Sequence, residues 1–350
     1  MTDQASTVND HDGAPLLEVE GLVKRFPIRR GLFGSGSVHA VEGVDLHIRP
    51  GEVLSLVGES GSGKSTLGAC VTGMSKPTAG RIRFAGEDVA LASRRGRAQF
   101  RRRVQPVFQD PRSSLDPRWP IERTIREPLD AYRVGSPADR TARVAELMDL
   151  VGLPRHLSAR QPRQLSRGQQ QRVAIAAALA LGPELLVADE PVSALDVSVQ
   201  AQILNLLDEL RNRLKLALLF IAHDLSVVEH LSDRVAVMYL GRIVETGPVE
   251  RIFASPEHPY TRALIDAIPH ADPGRKMSRI RLTGEIPSPV NPPSGCRFHP
   301  RCPVAIEQCR TVDPPQTHFD QTHSAACHVA AAGLAQRTST ISALSKGATS

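Results

Sequence analysis

A chain of 350 residues with 41% hydrophobic and 23% charged content can bury a sizeable core, and those proportions exclude a wholly disordered polypeptide. The net charge of +6 is open to nucleic acid, an anionic membrane face or neither, so charge alone selects no partner. The first fifteen residues are polar and partly acidic rather than signal-like, and no run of about twenty apolar residues is present to cross a bilayer, so the expected location is cytoplasmic.

Residues 1–15 read as a disordered tail. "LLEVE" (16–20) and "VDLHI" (44–48) then predict an antiparallel β edge. Apolar runs at 52–58 ("EVLSLVG"), 104–108 ("VQPVF"), 184–189 ("ELLVAD"), 216–222 ("LALLFIA") and 234–240 ("RVAVMYL") alternate with longer helical patterns. That alternation predicts an α/β fold with a largely parallel sheet. The densest basic stretch, Arg94–Arg103, reads as a solvated face, with membrane proximity as the alternative. Between about 110 and 182 the pattern is helical throughout, which predicts an inserted helical subdomain. After about 255 the texture turns to Pro, Arg, Cys and His, predicting an appendage over 256–330 before a flexible tail at 331–350.

"GESGSGKST", Gly58–Thr66, follows a predicted strand and precedes a helical stretch, the context a P-loop requires. Gly58, Gly61 and Gly63 let backbone amides close around phosphates, with Glu59, Ser60, Ser62 and Thr66 completing the nucleotide-binding stretch. Lys64 is placed to reach the β- and γ-phosphates and Ser65 to ligate Mg²⁺. The strand "LLVADE" delivers Asp189 to the magnesium side, and Glu190 follows it, where it could polarise a water or simply begin a helix. His223, ending another strand, is a γ-phosphate candidate or a plain strand-closing polar residue. A second loop, "LSRGQQQR" (165–172), sets Ser166, Gly168 and Gln169 at a helix start that favours an anion.

"GESGSGKS", "VFQD", "LSRGQQQR", "LLVADE", "SALD" and "AHD" together resemble the ABC-type ATPase domain over residues 16–255. The resemblance implies a P-loop NTPase with a RecA-like parallel sheet, an antiparallel β edge and the inserted helical subdomain. It casts Gln109 as the lid residue at the Mg²⁺ and attacking water, Asp196 as the loop residue that communicates across a dimer, and His223 as the switch histidine. Phe26 would stack on adenine, its alternative being a core aromatic. The 165–169 loop would cap ATP held by an opposite subunit. Arg167 departs from the family's Leu-Ser-Gly-Gly-Gln.

"FQDPRSSLDPRWPI", "HPYTRALIDAIP" and "GEIPSPVNPPSGCRFHPRCP" resemble the oligopeptide/dipeptide permease branch, and "PIRRGLFGSGSVHAV" its second, F-type ATPase. This implies an importer ATPase at the cytoplasmic face of a bacterial membrane, paired with a second ATPase, two permease subunits and an extracytoplasmic binding protein. Trp119 would lie near the permease groove or serve in packing. Cargo is open between dipeptides, longer peptides, nickel and other small solutes. The rival reading, a soluble ABC protein on nucleic acid or ribosomes, would need a second ATPase domain or a long coiled coil, so no nucleic acid partner is expected. An export ATPase is a third reading.

Cys296, Cys302, Cys309 and Cys327 are separated by five, six and seventeen residues, gaps that choose no metal. The resemblance implies a [4Fe–4S] cluster on these four, with zinc left open by His299 and His328, and no metal as a further alternative. Cys70, in the helix after the P-loop, reads as a small buried apolar residue.

Overall fold

The computed structural model describes residues 13–30, 34–268 and 284–335. The tails expected at 1–15 and 331–350 lie largely outside those residues. β1 (Leu17–Arg30) and β2 (Gly34–Ile48) form a long antiparallel hairpin in which Leu17 faces Ile48 and Phe26 faces Val38. Their alternation puts Leu17, Val19, Val44, Leu46 and Ile48 inward. β3 (Val53–Val57) leads into α1 (Lys64–Val71), and β4 (Ala79–Phe84) and β5 (Glu87–Asp88) complete a first sheet of order β2-β1-β4-β5.

The basic stretch forms α2 (Arg94–Arg103), capped by Ser93 and buried only at Phe100, which meets Phe84 edge-on. Arg103 pairs with Glu184. β6 (Val104–Val107) follows, and from there to Leu179 every helix or strand is helical: α3 (Pro111–Ser114), α4 (Ile121–Ala131), α5 (Pro137–Leu150) and α6 (Arg167–Leu179), joined by two 3₁₀ turns. Ile121, Ile125 and Leu129 of α4 recur at helical spacing and pack with Val144, Leu147 and Met148 of α5 in the main core.

β7 (Leu185–Asp189), α7 (Val197–Leu214), β8 (Ala217–Ala222), α8 (Leu225–Leu231) and β9 (Arg234–Tyr239) finish the parallel core. Every residue of β3 and β8 is buried, the condition of a parallel sheet covered on both faces. The five apolar runs read from the sequence are β3, β6, β7, β8 and β9, each within one residue of its expected start.

The sheet also continues past the expected core. β10 (Arg242–Pro248) turns back on β9 through Leu240 and Gly241, both at positive φ. After α9 (Val249–Ala254), α10 (Pro259–Asp266) and α11 (Gln308–Thr311) come β11 (Gln316–His318) and β12 (Ser324–Ala326). β12 pairs with β10, giving the order β11-β12-β10-β9-β3-β8-β7-β6. Two short strands of the C-terminal segment thus extend the core sheet, β12 antiparallel to β10 and β11 antiparallel to β12. A buried carboxylate seals the seam: Glu245 accepts the N–H groups of Glu257 and His258 at 2.7 and 2.9 Å and lies 2.8 Å from His323 Nε2. Burial holds the His258 imidazole down at about 4.

Candidate nucleotide site

The loop 58–63 leaves the C-terminal end of β3 at the edge where α/β sheets place ligands. Gly63 has φ +106°, and a Cβ there would lie 2.0 Å from the Ala40 carbonyl oxygen, so the loop can run this close to β2 only without a side chain. Lys64 is buried, and its Nζ donates to the carbonyls of Gly58 (2.7 Å) and Glu59 (3.0 Å). Burial lowers its pKa, while Glu190, Asp189 and Glu59 oppose that shift.

Ser65 Oγ donates to Asp189 Oδ1 at 3.0 Å, and burial raises the Asp189 carboxyl above its ordinary value. These two hard oxygens at the mouth of the loop fit Mg²⁺, which takes one or two protein oxygens and completes its shell with phosphate and water. Glu190 sits beside them at φ +46°, a left-handed conformation uncommon for a residue with a side chain, with its N–H on the Ile221 carbonyl at 3.0 Å. One oxygen of Glu190 gathers two further residues. Gln109 Nε2 donates to Oε2 at 2.9 Å, and His223 Nδ1 lies 3.2 Å from the same atom. Gln109 Nε2 also reaches Ser193 Oγ at 3.2 Å, so its amide nitrogen is turned to Glu190 and Ser193 rather than to the Ser65–Asp189 pair.

The second loop behaves differently. Ser166 and Gln169 close a capping box on each other: Ser166 Oγ accepts the Gln169 N–H at 3.3 Å, and Gln169 Oε1 accepts the Ser166 N–H at 3.0 Å. A Cβ on Gly168 would lie 2.5 Å from Val199 Cγ1, so the bare glycine lets α6 start directly against α7. Arg167 Nη1 donates to the Ala194 carbonyl at 3.0 Å, tying this loop to the one before Asp196. Asp196 itself is exposed at the start of α7 and makes no side-chain cap bond. Phe26 is 40% exposed on the hairpin with Lys24 Nζ 4.7 Å from its ring centroid, which rules out a core role. Trp119 is half-buried under the Arg123 guanidinium, 4.1 Å from its centroid.

The expected [4Fe–4S] cluster is a correction. Among the described residues, no group of three or more His, Cys, Asp or Glu is placed to hold a metal ion, so neither iron-sulfur nor zinc is assigned to Cys296, Cys302, Cys309 and Cys327. Burial raises the Cys296 thiol to about 11 and also raises Cys302 and Cys327, with neighbouring thiols adding to the shift. The neighbouring imidazoles are engaged with backbone, His299 Nδ1 at the Cys296 carbonyl (2.9 Å) and His328 Nε2 at that of Val312 (3.0 Å). Cys70 is buried in the core.

Sequence reasoning missed a set of residues behind the P-loop. The Tyr260 hydroxyl accepts the Glu59 N–H at 2.8 Å, and Arg301 forks the Glu59 carboxylate at 2.6 and 3.0 Å. The only available signal was that Tyr260 lies in the quoted "HPYTR" and Arg301 in "HPRCP"; neither motif names its target.

Residues 41–193 match the ABC transporter family, and residues 244–309 match the family described as oligopeptide/dipeptide transporter, C-terminal region. The chain is 50% identical to the probable peptide ABC transporter ATP-binding protein y4tS of Sinorhizobium fredii, over 91% of each chain. It is 46% identical to the dipeptide transport ATP-binding protein DppF of Haemophilus influenzae, covering 91% of this chain and 98% of that one. To the oligopeptide transport ATP-binding protein AppF of Bacillus subtilis it is 47% identical, over 90% and 97%. Among solved structures, the dimeric post-hydrolysis state of the ATP-binding cassette MJ0796, bound to ADP and Pi, superposes with a TM-score of 0.59 at 29% identity, covering 67% of this chain and 98% of that one. With a phosphate loop, a composite carboxylate site and near full-length likeness to peptide-transport ATPases, the chain belongs to the ABC transporter ATP-binding proteins of the oligopeptide/dipeptide branch.

Proposed function

We propose that this chain is the ATP-hydrolysing subunit of an ABC importer for peptides, working at the cytoplasmic face of the membrane. Its partners are a second ATPase of the same family, two membrane-spanning permeases and an extracytoplasmic peptide-binding protein. The observation that carries the mechanism is the meeting of Gln109 and His223 at one oxygen of Glu190, beside the P-loop lysine and the Ser65–Asp189 pair. No described helix is long and apolar enough to cross a membrane.

In this reading Lys64 leaves the Gly58 and Glu59 carbonyls for the β- and γ-phosphates, and the amides of Ser60 to Thr66 surround them. Ser65 and Asp189 would hold Mg²⁺, with Gln109 near it, and the bound ion would supply charge neutralisation at the phosphate oxygens. Phe26 stacks on the adenine. A water held by Glu190 attacks the γ-phosphorus in line, its proton passes to the carboxylate, and ADP departs with the bridging oxygen. His223 fixes the carboxylate and contacts the γ-phosphate as the site closes.

Ser166, Gly168, Gln169 and Asp196 act across a dimer, capping nucleotide in the facing subunit with the positive end of α6. The stretch "PIRRGLFGSGSVHAV", which resembles the second, F-type ATPase of such systems, supports this chain as one half of a heterodimer.

The test is reconstitution. Co-expressed with its partner ATPase and permeases in lipid vesicles, the complex should hydrolyse ATP faster when peptide-loaded binding protein is added, and peptide should accumulate inside. Stimulation by nickel alone would replace the peptide cargo. Full turnover by the isolated, monomeric chain would overturn the composite site.

A further inference from the structure

Glu59, the second residue of the phosphate loop, is held on its backbone and its side chain by groups from the C-terminal half of the chain. The Tyr260 hydroxyl accepts its N–H at 2.8 Å, while Arg301 Nη1 and Nη2 donate to its two carboxylate oxygens at 2.6 and 3.0 Å. Its carbonyl, in turn, is one of the two oxygens on which Lys64 Nζ rests. A single residue thus joins the C-terminal segment to the phosphate-binding lysine.

The clasp is stiff. Arg301 is 7% exposed, and a guanidinium fork on a carboxylate fixes direction as well as distance. Its support is aromatic: Tyr239, Tyr260 and Phe298 meet in mutual ring contacts at 4.7, 5.2 and 5.4 Å between centroids, and Arg301 Nη1 also reaches the Tyr239 hydroxyl at 3.4 Å. Two further ties flank it. Gly241 N–H donates to the Ser62 carbonyl at 2.7 Å, and Arg297 binds the Leu240 carbonyl just before it. A surface ion pair would contribute little, but Arg301 is buried here, so removing the half-buried Glu59 carboxylate leaves its charge without a partner.

We propose that Arg301 is a positioning residue for the nucleotide: acting through Glu59, it fixes the entrance of the phosphate loop, so the C-terminal segment sets ATP affinity without touching ATP. The proposal rests on the ATP-binding reading above. It differs from a purely structural clasp in where the effect appears. A structural clasp lowers the melting temperature alone, whereas a positioning clasp changes nucleotide affinity, because the loop must keep its shape while Lys64 moves from carbonyls to phosphate.

The test uses the intact chain and MgATP, with binding measured by calorimetry and KM and kcat measured in the complex with its partner ATPase. Arg301→Gln and Glu59→Gln should each weaken MgATP binding roughly tenfold, within the range spanned by contacting pairs. The double variant should be no weaker than the worse single one, Arg301→Lys should recover part of the loss, and in the Arg301 variants KM should rise with kcat within about twofold. Should Arg301→Gln fail to fold, Glu59→Gln and Arg301→Lys carry the same comparison. Wild-type binding with unchanged affinity in the variants, or losses that multiply in the double variant, overturns the proposal. Failure of the wild-type chain itself to bind MgATP overturns the nucleotide reading instead, so the two failures are distinguishable.

Discussion

The two edges of the nucleotide apparatus treat their hydrogen-bonding groups in opposite ways. At the P-loop edge every reactive side chain has a partner from its own chain: Lys64 on two carbonyls, Ser65 on Asp189, Gln109 and His223 on Glu190. At the signature edge Ser166 and Gln169 satisfy only one another, Asp196 is left without a cap bond, and the adjoining Val197 is 81% exposed. An exposed apolar side chain beside an acidic residue without a cap bond at a helix start suits a surface completed by another subunit. In the proposed reading one edge holds the chemistry, and the other supplies a lid for a neighbour.

The largest effect should come from the first edge. Glu190→Gln removes the proton acceptor while keeping shape and hydrogen-bonding reach, so turnover of the partnered complex should fall by roughly 10²–10⁴. MgATP binding should persist. Near-normal phosphate release by this variant would remove Glu190 from the chemistry and leave the P-loop edge as a binding site only.

Next comes the second edge. Ser166→Arg places a long cation where the lid meets its neighbour, and turnover should fall about a hundredfold while the single chain binds MgATP within twofold of wild type. Loss of the N-cap should cost about 1 kcal/mol of stability, visible in chemical denaturation. If affinity in the isolated chain falls as far as turnover, the signature loop serves its own site and the contrast between the edges fails.

A smaller effect sharpens the electrostatics of the first edge. Burial raises the Asp189 carboxyl, so the folded chain binds its proton more readily than the unfolded chain does. The linkage then runs one way: the cost of ionising Asp189 is fully present above its raised value, and it disappears as pH falls through the ordinary 3.8. Asp189→Asn should therefore raise the nucleotide-free melting temperature at pH 7 by on the order of 1 °C, a shift that corresponds to roughly 1 kcal/mol or less in a chain of this size. The advantage should shrink on acidification, and Mg²⁺-dependent tightening of ATP binding should be lost.

The contrast also explains what could be read from the sequence. β3 and β7 to β9 announce themselves as short apolar runs because a parallel strand buried on both faces needs no polar alternation, and the P-loop and Asp189 follow directly from two of those strands. β10 did not, since "RIVETGP" carries Arg, Glu, Gly and Pro and becomes a strand only by pairing with β9 and β12. Tertiary pairing overrode composition there. The Arg301–Glu59 fork was invisible for a similar reason: its partners are 242 positions apart, and an arginine in a Pro- and Cys-rich stretch reads as solvated until the fold turns it inward. The cysteines misled in the other direction. Their clustering in sequence predicted ligands, but among the described residues the fold brings no group of three or more such side chains together as a metal site.

Arg167 probes the seam between the two edges with the smallest expected effect. It occupies the place where the family pattern has glycine, and its guanidinium reaches the Ala194 carbonyl, two residues before Asp196. The bond is exposed, so removing it is worth only about 0.5–1.5 kcal/mol. That is enough to loosen the Asp196 loop but too little to disturb the P-loop. Arg167→Gly should therefore lower turnover of the partnered complex by about two- to fivefold at saturating ATP, leave MgATP affinity of the single chain unchanged, and be partly restored in Arg167→Lys, which can still reach the carbonyl. A rise in turnover would reverse the assignment: the tether would then be a brake on the loop, and the departure from glycine would mark a half-site slowed by design of its sequence.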